Sequence, residues 1–458
     1  MTNSVSRATR GVLGLSMGTF IVQAVSAGSQ LVLAAWLAPS EFGLWASAVS
    51  AMTLVTALTN FGEISGYLSG QGVGYRATRR RAFRSNLLLV LGGLLIAGLY
   101  LLWGKPEIAL YCLVLALAIP LSGDADVKIA AVTRHDGYAS IVTSQAAAAV
   151  AKFGLGLLIA VITHSAVAIA ISTVGYYIVL SLLISRRART STANEPIGTE
   201  QPRSMARFSW AVNSYAMSLP IQAVFIAGQL FLTPTDLGVL YIAMQVTLAL
   251  SSLISVPLNR VALSAFSRAT DEERETLALG LGIRVVGTVT WLSAAIGLGL
   301  VMLTAYVPPL WQHAVPFALI LLAGLPLRIL SPVLEARQQS AREWWHATGF
   351  SLVDAVGSAA IVLVTAQSGD LLIVCLGITA WKALVGVTRT LVALRRLAPL
   401  ALCALIALSI FACGLLLAAS WVVPLYGAIL SAGLLLILLL LTRRVVRRRR
   451  RRRARPAP

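Results

Sequence analysis

Apolar runs of about 20 residues, the length needed to cross a bilayer as an α-helix, recur from one end of this chain to the other. They fall near residues 11–36, 43–70, 86–103, 108–131, 138–162, 166–185, 207–231, 238–262, 282–306, 314–334, 346–366, 371–393, 398–420 and 424–442. A backbone in hydrocarbon must satisfy its own hydrogen bonds, which leaves helices or closed barrels, and runs this long select helices. The expected fold is all-α: a polytopic membrane protein of about 14 transmembrane helices. Composition agrees, since only 12% of residues are charged and 58% are hydrophobic, against roughly a quarter charged in soluble domains.

The arginines test that count. With an even number of spans both termini share one side, and cytoplasmic loops should hold the basic residues. Arg7 and Arg10 precede the first run, and Arg76, Arg79, Arg80, Arg81 and Arg84 follow the second. Then come Arg134, Arg186, Arg187, Arg189, Arg268, Arg274, Arg337, Arg342, Arg395 and Arg396, all in alternate loops. The intervening loops carry Lys105 and almost nothing else basic. Both termini are therefore expected in the cytoplasm. This bias accounts for most of the net charge of +20, so nucleic acid is not an expected partner. The tail adds Arg443, Arg444, seven consecutive arginines at 447–453 and Arg455. Anionic membrane lipid is its simplest partner, at about 1 kcal/mol per charge near the surface. An acidic cytoplasmic protein, such as a polysaccharide-assembly component, is the sharper alternative.

Two short stretches look like copies of one helical hairpin. LAPSEFGLW at 37–45 and LTPTDLGVL at 232–240 share the order Leu, small residue, Pro, Ser or Thr, acid, bulky apolar residue, Gly. They lie 195 positions apart (232 − 37) and each joins two apolar runs. A polytopic chain built from two related halves is most often a transporter, with its substrate site where the halves meet. The one linker-like stretch before the tail, RRARTSTANEPIGTEQPRSMAR at 186–207, is polar and holds two prolines. The expected organisation is a six-helix lobe at 1–190, a cytoplasmic linker at 191–206, a second six-helix lobe at 207–393, two further transmembrane helices at 394–442, and a polybasic cytoplasmic tail at 443–458. The first run is too long for a signal-peptide core and continues into a second span, so no cleaved leader is expected. Cys112, Cys375, Cys403 and Cys413 all sit in apolar runs without CxxC spacing, so they read as small buried hydrophobes. The outer loops, such as 104–107 and 367–370, are too short to build a catalytic site. Trp311, in the outer PPLWQHAV loop, is expected as an interfacial aromatic anchor.

The run FLTPTDLGVLYIAMQVTLALSSLISVPLNRVALSAFSRATD at 231–271 resembles the bacterial polysaccharide exporters and O-antigen-type flippases of the multidrug/oligosaccharidyl-lipid/polysaccharide exporter superfamily, with matching positions Gly238, Tyr241, Pro257, Val261, Phe266 and Ser267. LAPSEFGLWA, AAVTRHDGYASIV from Ala130 and PLWQHAVPFALIL from Pro309 fit the same pattern. Ser264 departs from it, at a position that is usually proline. The resemblance covers most of the first twelve spans. It implies two pseudo-symmetric six-helix lobes around a central cavity. It also implies a lipid-linked oligosaccharide as substrate, typically on a polyprenyl diphosphate, and the bacterial cytoplasmic (inner) membrane as location. Helices beyond the twelfth occur in several branches, including the peptidoglycan-precursor flippases.

Ionisable side chains within spans are expensive and are functional candidates by default. A diphosphate needs cations, which form charge-assisted hydrogen bonds to phosphate oxygens. Lys152 and Lys382 lie deep enough to face a cavity, and Arg328 is a further cavity candidate. Arg260 joins them, although it shares with Arg284 and Arg389 a place near a cytoplasmic end, where a snorkelling anchor is the simpler account. Glu63, at i+3 from Asn60, and Asp354 are candidates for coupling to an ion gradient, with a structural ion pair as the plainer reading. Gln23 and Gln30 are seven apart on the first helix, as are Gln222 and Gln229 on its counterpart. With Asn213 and Gln245 they are positioned either to meet sugar hydroxyls or to hydrogen-bond between helices. Asp124 and Asp126 superficially match a glycosyltransferase DxD motif, but Lys128 stands four residues after Asp124, and an intrahelical ion pair explains it better. No GxxxxGK[ST] motif occurs, and neither cofactor, metal nor catalytic residue is expected. The rival readings are a cation-coupled small-molecule antiporter on the same fold, with a cavity richer in acids, and a membrane-embedded glycan polymerase or ligase, which is an enzyme.

Overall fold

The computed structural model describes residues 25, 28–30, 32–59, 63–68, 74–135, 137–192, 204–266, 270–340 and 343–393. The expected last two spans, the polybasic tail and most of the expected first span lie outside them. Among the described residues all regular structure is helical. The order is α1 (Pro39–Thr56), α2 (Glu63–Leu68), α3 (Tyr75–Leu102), α4 (Pro106–Arg134), α5 (Tyr138–Thr163), α6 (Val167–Thr192), α7 (Ser204–Gly228), α8 (Pro234–Phe266) and α9 (Asp271–Leu303). Four short pieces follow, α10 (Pro309–Gln312), α11 (Ala314–Ala323), α12 (Leu325–Arg328) and α13 (Leu330–Ser340), then α14 (Trp344–Thr365) and α15 (Leu371–Ala393). Eight of the described helices are long and apolar enough to span a membrane, and nine if α10–α13 form one bent span.

Helix starts follow local chemistry. Pro39, Pro106, Pro234 and Pro309 each open a helix, where the missing N–H removes a donor that has no intrahelical partner anyway. The turns between α3 and α4 and between α14 and α15 use Gly104 at φ 69° and Gly369 at φ 67°, the left-handed region where a side chain is strained.

Two expected spans are broken. The run at 43–70 divides into α1 and α2, with α1 ending at Thr56. Thr53 donates to the Val49 carbonyl at 2.6 Å, Thr56 to the Thr53 carbonyl at 3.4 Å, and Thr59 to the Thr56 carbonyl; such back-bonding competes with the helix ladder. The run at 314–334 bends by 43° between Pro309–Ala323 and Leu325–Gln338, because Pro326 contributes no N–H and clashes with the preceding turn, next to Gly324. Elsewhere helices outrun the expected loops. α3 begins at Tyr75, eleven residues before the expected 86 (86 − 75), so the arginines at 76–84 form its first turns. α6 likewise runs to Thr192.

The described residues pack as two compact units, which fall within Met1–Ile242 with Ser351–Gly369 and within Ala243–Phe350 with Asp370–Pro458. In the first, α3 buries Ala82, Asn86, Leu89, Gly93, Ala97 and Tyr100, a stripe at helical spacing that packs on α4. A Cβ at Gly93 would meet the Ala116 Cβ at 3.1 Å, the small-residue seam that lets membrane helices approach closely. The opposite face of α3 exposes Leu87, Leu88, Leu91, Leu95 and Leu99, as expected where lipid is the solvent. In the second unit, Leu250, Val285, Val289, Leu322, Leu325 and Ile329 form a core among α8, α9 and the bent span.

Candidate functional site

The two sequence repeats meet in space within the first unit. A Cβ at Gly43 would lie 1.8 Å from the Pro234 carbonyl oxygen, and one at Gly238 would lie 1.7 Å from the Pro39 carbonyl oxygen. Both pairs are related by the 195-residue offset (39 to 234, 43 to 238), so the contact is reciprocal, as a local two-fold requires. The glycines are there because backbone crosses backbone. Around them, the Trp45 indole donates to the Tyr241 hydroxyl at 3.0 Å, and Tyr241 packs on Phe42 and Phe225. The two repeat acids differ in use. Asp236 closes a cap with Thr233, whose hydroxyl donates to it at 2.6 Å. Glu41 accepts from the Tyr111 hydroxyl at 3.0 Å and the Ala166 N–H at 2.7 Å, which ties α1 to α4 and to the start of α6.

Other polar candidates of this unit are spread over several helices. Lys152 lies mid-way along α5, about 21 Å from its start, part-exposed and without a hydrogen bond or ion pair to another described residue. Gln229, in the turn after α7, accepts from the Tyr100 hydroxyl of α3 at 2.8 Å, while Gln30 and Gln222 are part-exposed. Glu63 is buried at the start of α2, and Asp354 accepts from Ser358 at 3.2 Å. Asn213 lies on α7; Gln23 and Asn60 fall outside the described residues.

Asp124 is part of a tertiary network as well as the expected intrahelical pair. One carboxylate oxygen accepts from Arg79 Nε at 2.6 Å; the other pairs with Lys128 Nζ at 2.5 Å and accepts from Ser181 Oγ at 2.9 Å. Lys128 also reaches Ser181 Oγ at 2.7 Å. α3, α4 and α6 are thus joined through one carboxylate. The i+4 spacing points to Lys128; Arg79 and Ser181 come from other helices and leave no local signal.

In the second unit, Lys382 is buried halfway along α15. Arg328 ends α12, a few residues beyond the bend at Gly324. Gly324 and Pro326 inside an apolar run are the sequence signal for that break. Gln245 and Arg260 lie on α8. Arg389 is buried, donates to Gln338 at 3.0 Å and lies over the Phe350 ring, so it is a packed residue and not the expected snorkelling anchor. Trp311 is also buried, since α10 folds its indole inward, and the expected interfacial anchor is corrected accordingly.

Residues 32–311 match the family described as polysaccharide biosynthesis protein, and the chain belongs to that family. No curated protein matches the sequence significantly. Solved structures share the fold at low identity. The lipid II flippase MurJ in an inward closed conformation is 12% identical, with a TM-score of 0.65 over 94% of this chain and 99% of its own. A multidrug resistance MATE family transporter of the MOP superfamily, outward-facing, is 16% identical, with a TM-score of 0.61 over 86% and 96%. A MOP superfamily transporter from Pyrococcus furiosus, whose reversed pocket polarity suggests a different function for it, is 12% identical, with a TM-score of 0.57 over 86% and 96%. The chain is an all-α, multi-pass membrane protein with a MOP-type transporter fold.

Proposed function

We propose that this protein is a flippase that carries polyprenyl-diphosphate-linked oligosaccharide from the inner to the outer leaflet of the bacterial cytoplasmic membrane, for surface polysaccharide assembly. The observation that carries the reading is the combination of a polysaccharide biosynthesis family match over 32–311 with a fold that spans nearly the whole of a lipid II flippase. In this reading, residues 1–190 and 207–393 act as two lobes that rock in alternating access, with the helices at 394–442 and the cytoplasmic tail appended. Lys152, Arg328, Lys382 and Arg260 attract the diphosphate. Gln23, Gln30, Asn213, Gln222, Gln229 and Gln245 meet sugar hydroxyls, and Glu63 and Asp354 couple the cycle to an ion gradient. No covalent step is involved. The reciprocal contact at Gly43 and Gly238 supports the lobe symmetry.

The likeness to MATE transporters favours one second reading, a cation-coupled small-molecule antiporter. A strain lacking the protein separates the two. Complete lipid-linked repeat units trapped on the cytoplasmic leaflet are the expected result. Units stranded unpolymerised on the outer leaflet would point to a polymerase or ligase instead, and no accumulation at all to the antiporter.

A further inference from the structure

A cavity of about 860 Å³ opens between the start of α3, the middle of α4 and the end of α6, lined among others by Tyr75, Arg76, Arg79, Arg80, Asp124 and Arg189. Four arginines there face one carboxylate, and that carboxylate is already held by Arg79, Lys128 and Ser181. Arg79 is anchored by its Nε, which holds its guanidinium in the cavity wall. Arg76, Arg80 and Arg189 are exposed and make no hydrogen bond or ion pair to other described residues.

The placement of these arginines runs against helix electrostatics. A helix start carries partial positive charge and favours acids, yet the first turns of α3 read YRATRRR with no acid. The 195-residue offset of the hairpins takes Tyr75 to Thr270, the cap of α9, whose first turns read DEERE and close a capping box with Glu273. The second copy thus supplies its own anions where the first presents arginines around a cavity. Solvated topological arginines would explain the charge count alone. They do not explain why four arginines line one open cavity whose single lining acid is already compensated.

From the cavity mouth an apolar ridge runs along α3. Phe83, itself lining the cavity, is followed at i+4 spacing by Leu87, Leu91 and Leu95, exposed by 54%, 54%, 61% and 66%. A charged pocket continuous with an exposed apolar ridge fits a ligand with both an anionic head and an acyl chain.

We propose that this cavity is a binding site for an anionic phospholipid, its phosphate held by Arg76, Arg80 and Arg189 and its acyl chain laid along Phe83, Leu87 and Leu91. Lipid bound there braces α3 against α6. The site is separate from the residues assigned above to transport and does not depend on that assignment.

The test uses the full purified chain in neutral detergent, with thermal unfolding followed by tryptophan fluorescence. Short-chain phosphatidylglycerol should raise the Tm saturably, and short-chain phosphatidylcholine should not. In the R76Q/R80Q/R189Q variant the apparent affinity for phosphatidylglycerol should fall about tenfold or more, the effect of losing charge-assisted hydrogen bonds. The polybasic tail is intact in both proteins, so equal affinities would assign binding to diffuse charge and overturn the proposal. So would a failure of phosphatidylglycerol to stabilise the wild type. Stronger stabilisation by inorganic pyrophosphate than by phosphatidylglycerol would overturn the lipid as occupant. If the glutamine variant folds poorly, R76K/R80K/R189K keeps the charge and loses the guanidinium fork. A built site then weakens severalfold, whereas unchanged affinity overturns it.

Discussion

Asp124 shows how one side chain comes to hold three helices. Its carboxylate is only 20% exposed and Lys128 only 9%, so each compensates the other in a setting where an unpaired charge is costly. Asp124→Ala should leave Lys128 buried without its counter-ion and destabilise the protein by about 3 kcal/mol, at the low end for a buried pair because Arg79 remains half exposed. Asp124→Asn keeps an acceptor for Ser181 and should lose less. The double change Asp124→Ala with Lys128→Met should recover most of the loss, since an apolar replacement of both partners removes the stranded charge. Thermal unfolding of the four proteins gives the cycle, and a double variant no more stable than Asp124→Ala would refute the pairing as the source. This residue also marks the reach of local sequence reasoning. Spacing of i+4 identifies Lys128, because both residues sit on one helix face. Arg79 lies 45 residues earlier, and its place in the network depends on how α3 packs against α4, which no local pattern encodes. Arg389 and Trp311 depart from expectation for the same reason: closeness to a helix end or loop suggests the interface, and only packing shows that both are buried.

At the level of elements, helices are easy to read from sequence and their interruptions are not. Apolar length locates a span, but it gives no sign of the break after α1, where Thr53, Thr56 and Thr59 back-bond to the helix, or of the 43° bend at Gly324 and Pro326, small features within long apolar runs. The repeated Leu-x-Pro hairpin is legible from nine residues, and its glycines turn out to be what lets the copies cross. This gives an expectation with opposite signs at different glycines. In an open helical site, Gly→Ala should stabilise by up to about 1 kcal/mol through propensity alone. Gly98 is such a site on α3, with nothing within 4 Å of the position a Cβ would take, and Gly98→Ala should raise the Tm slightly. Gly43→Ala and Gly238→Ala put a methyl group against a carbonyl oxygen at 1.8 and 1.7 Å. The helices must then separate, and both variants should be less stable than wild type despite the same gain in propensity. Equal Tm shifts at all three positions would show that the crossing does not constrain the fold.

For the whole molecule, the reciprocity of that crossing matters more than its tightness. A contact that repeats itself under the 195-residue offset joins equivalent points of the two sequence halves, and under the alternating-access reading proposed above it is a natural place for the halves to part when access changes sides. The fold alone is shared by transporters of different cargo, so it does not choose among them; the proposed motion can be tested without knowing the cargo. Ser40 and Thr235 are also related by the offset (40 + 195 = 235), lie beside the crossing, and are part-exposed and exposed. Of the four native cysteines, Cys112 and Cys375 are buried, which limits their reaction with an added reagent, and Cys403 and Cys413 are replaced by serine in the background used. With Ser40→Cys and Thr235→Cys introduced together, a reducible bis-methanethiosulfonate linker should hold the hairpins together. Surface polysaccharide export should then stop and resume after reduction, while each single cysteine variant tolerates the reagent. Undiminished export by fully cross-linked protein would mean that the hairpins stay together throughout the cycle, and alternating access would have to open elsewhere.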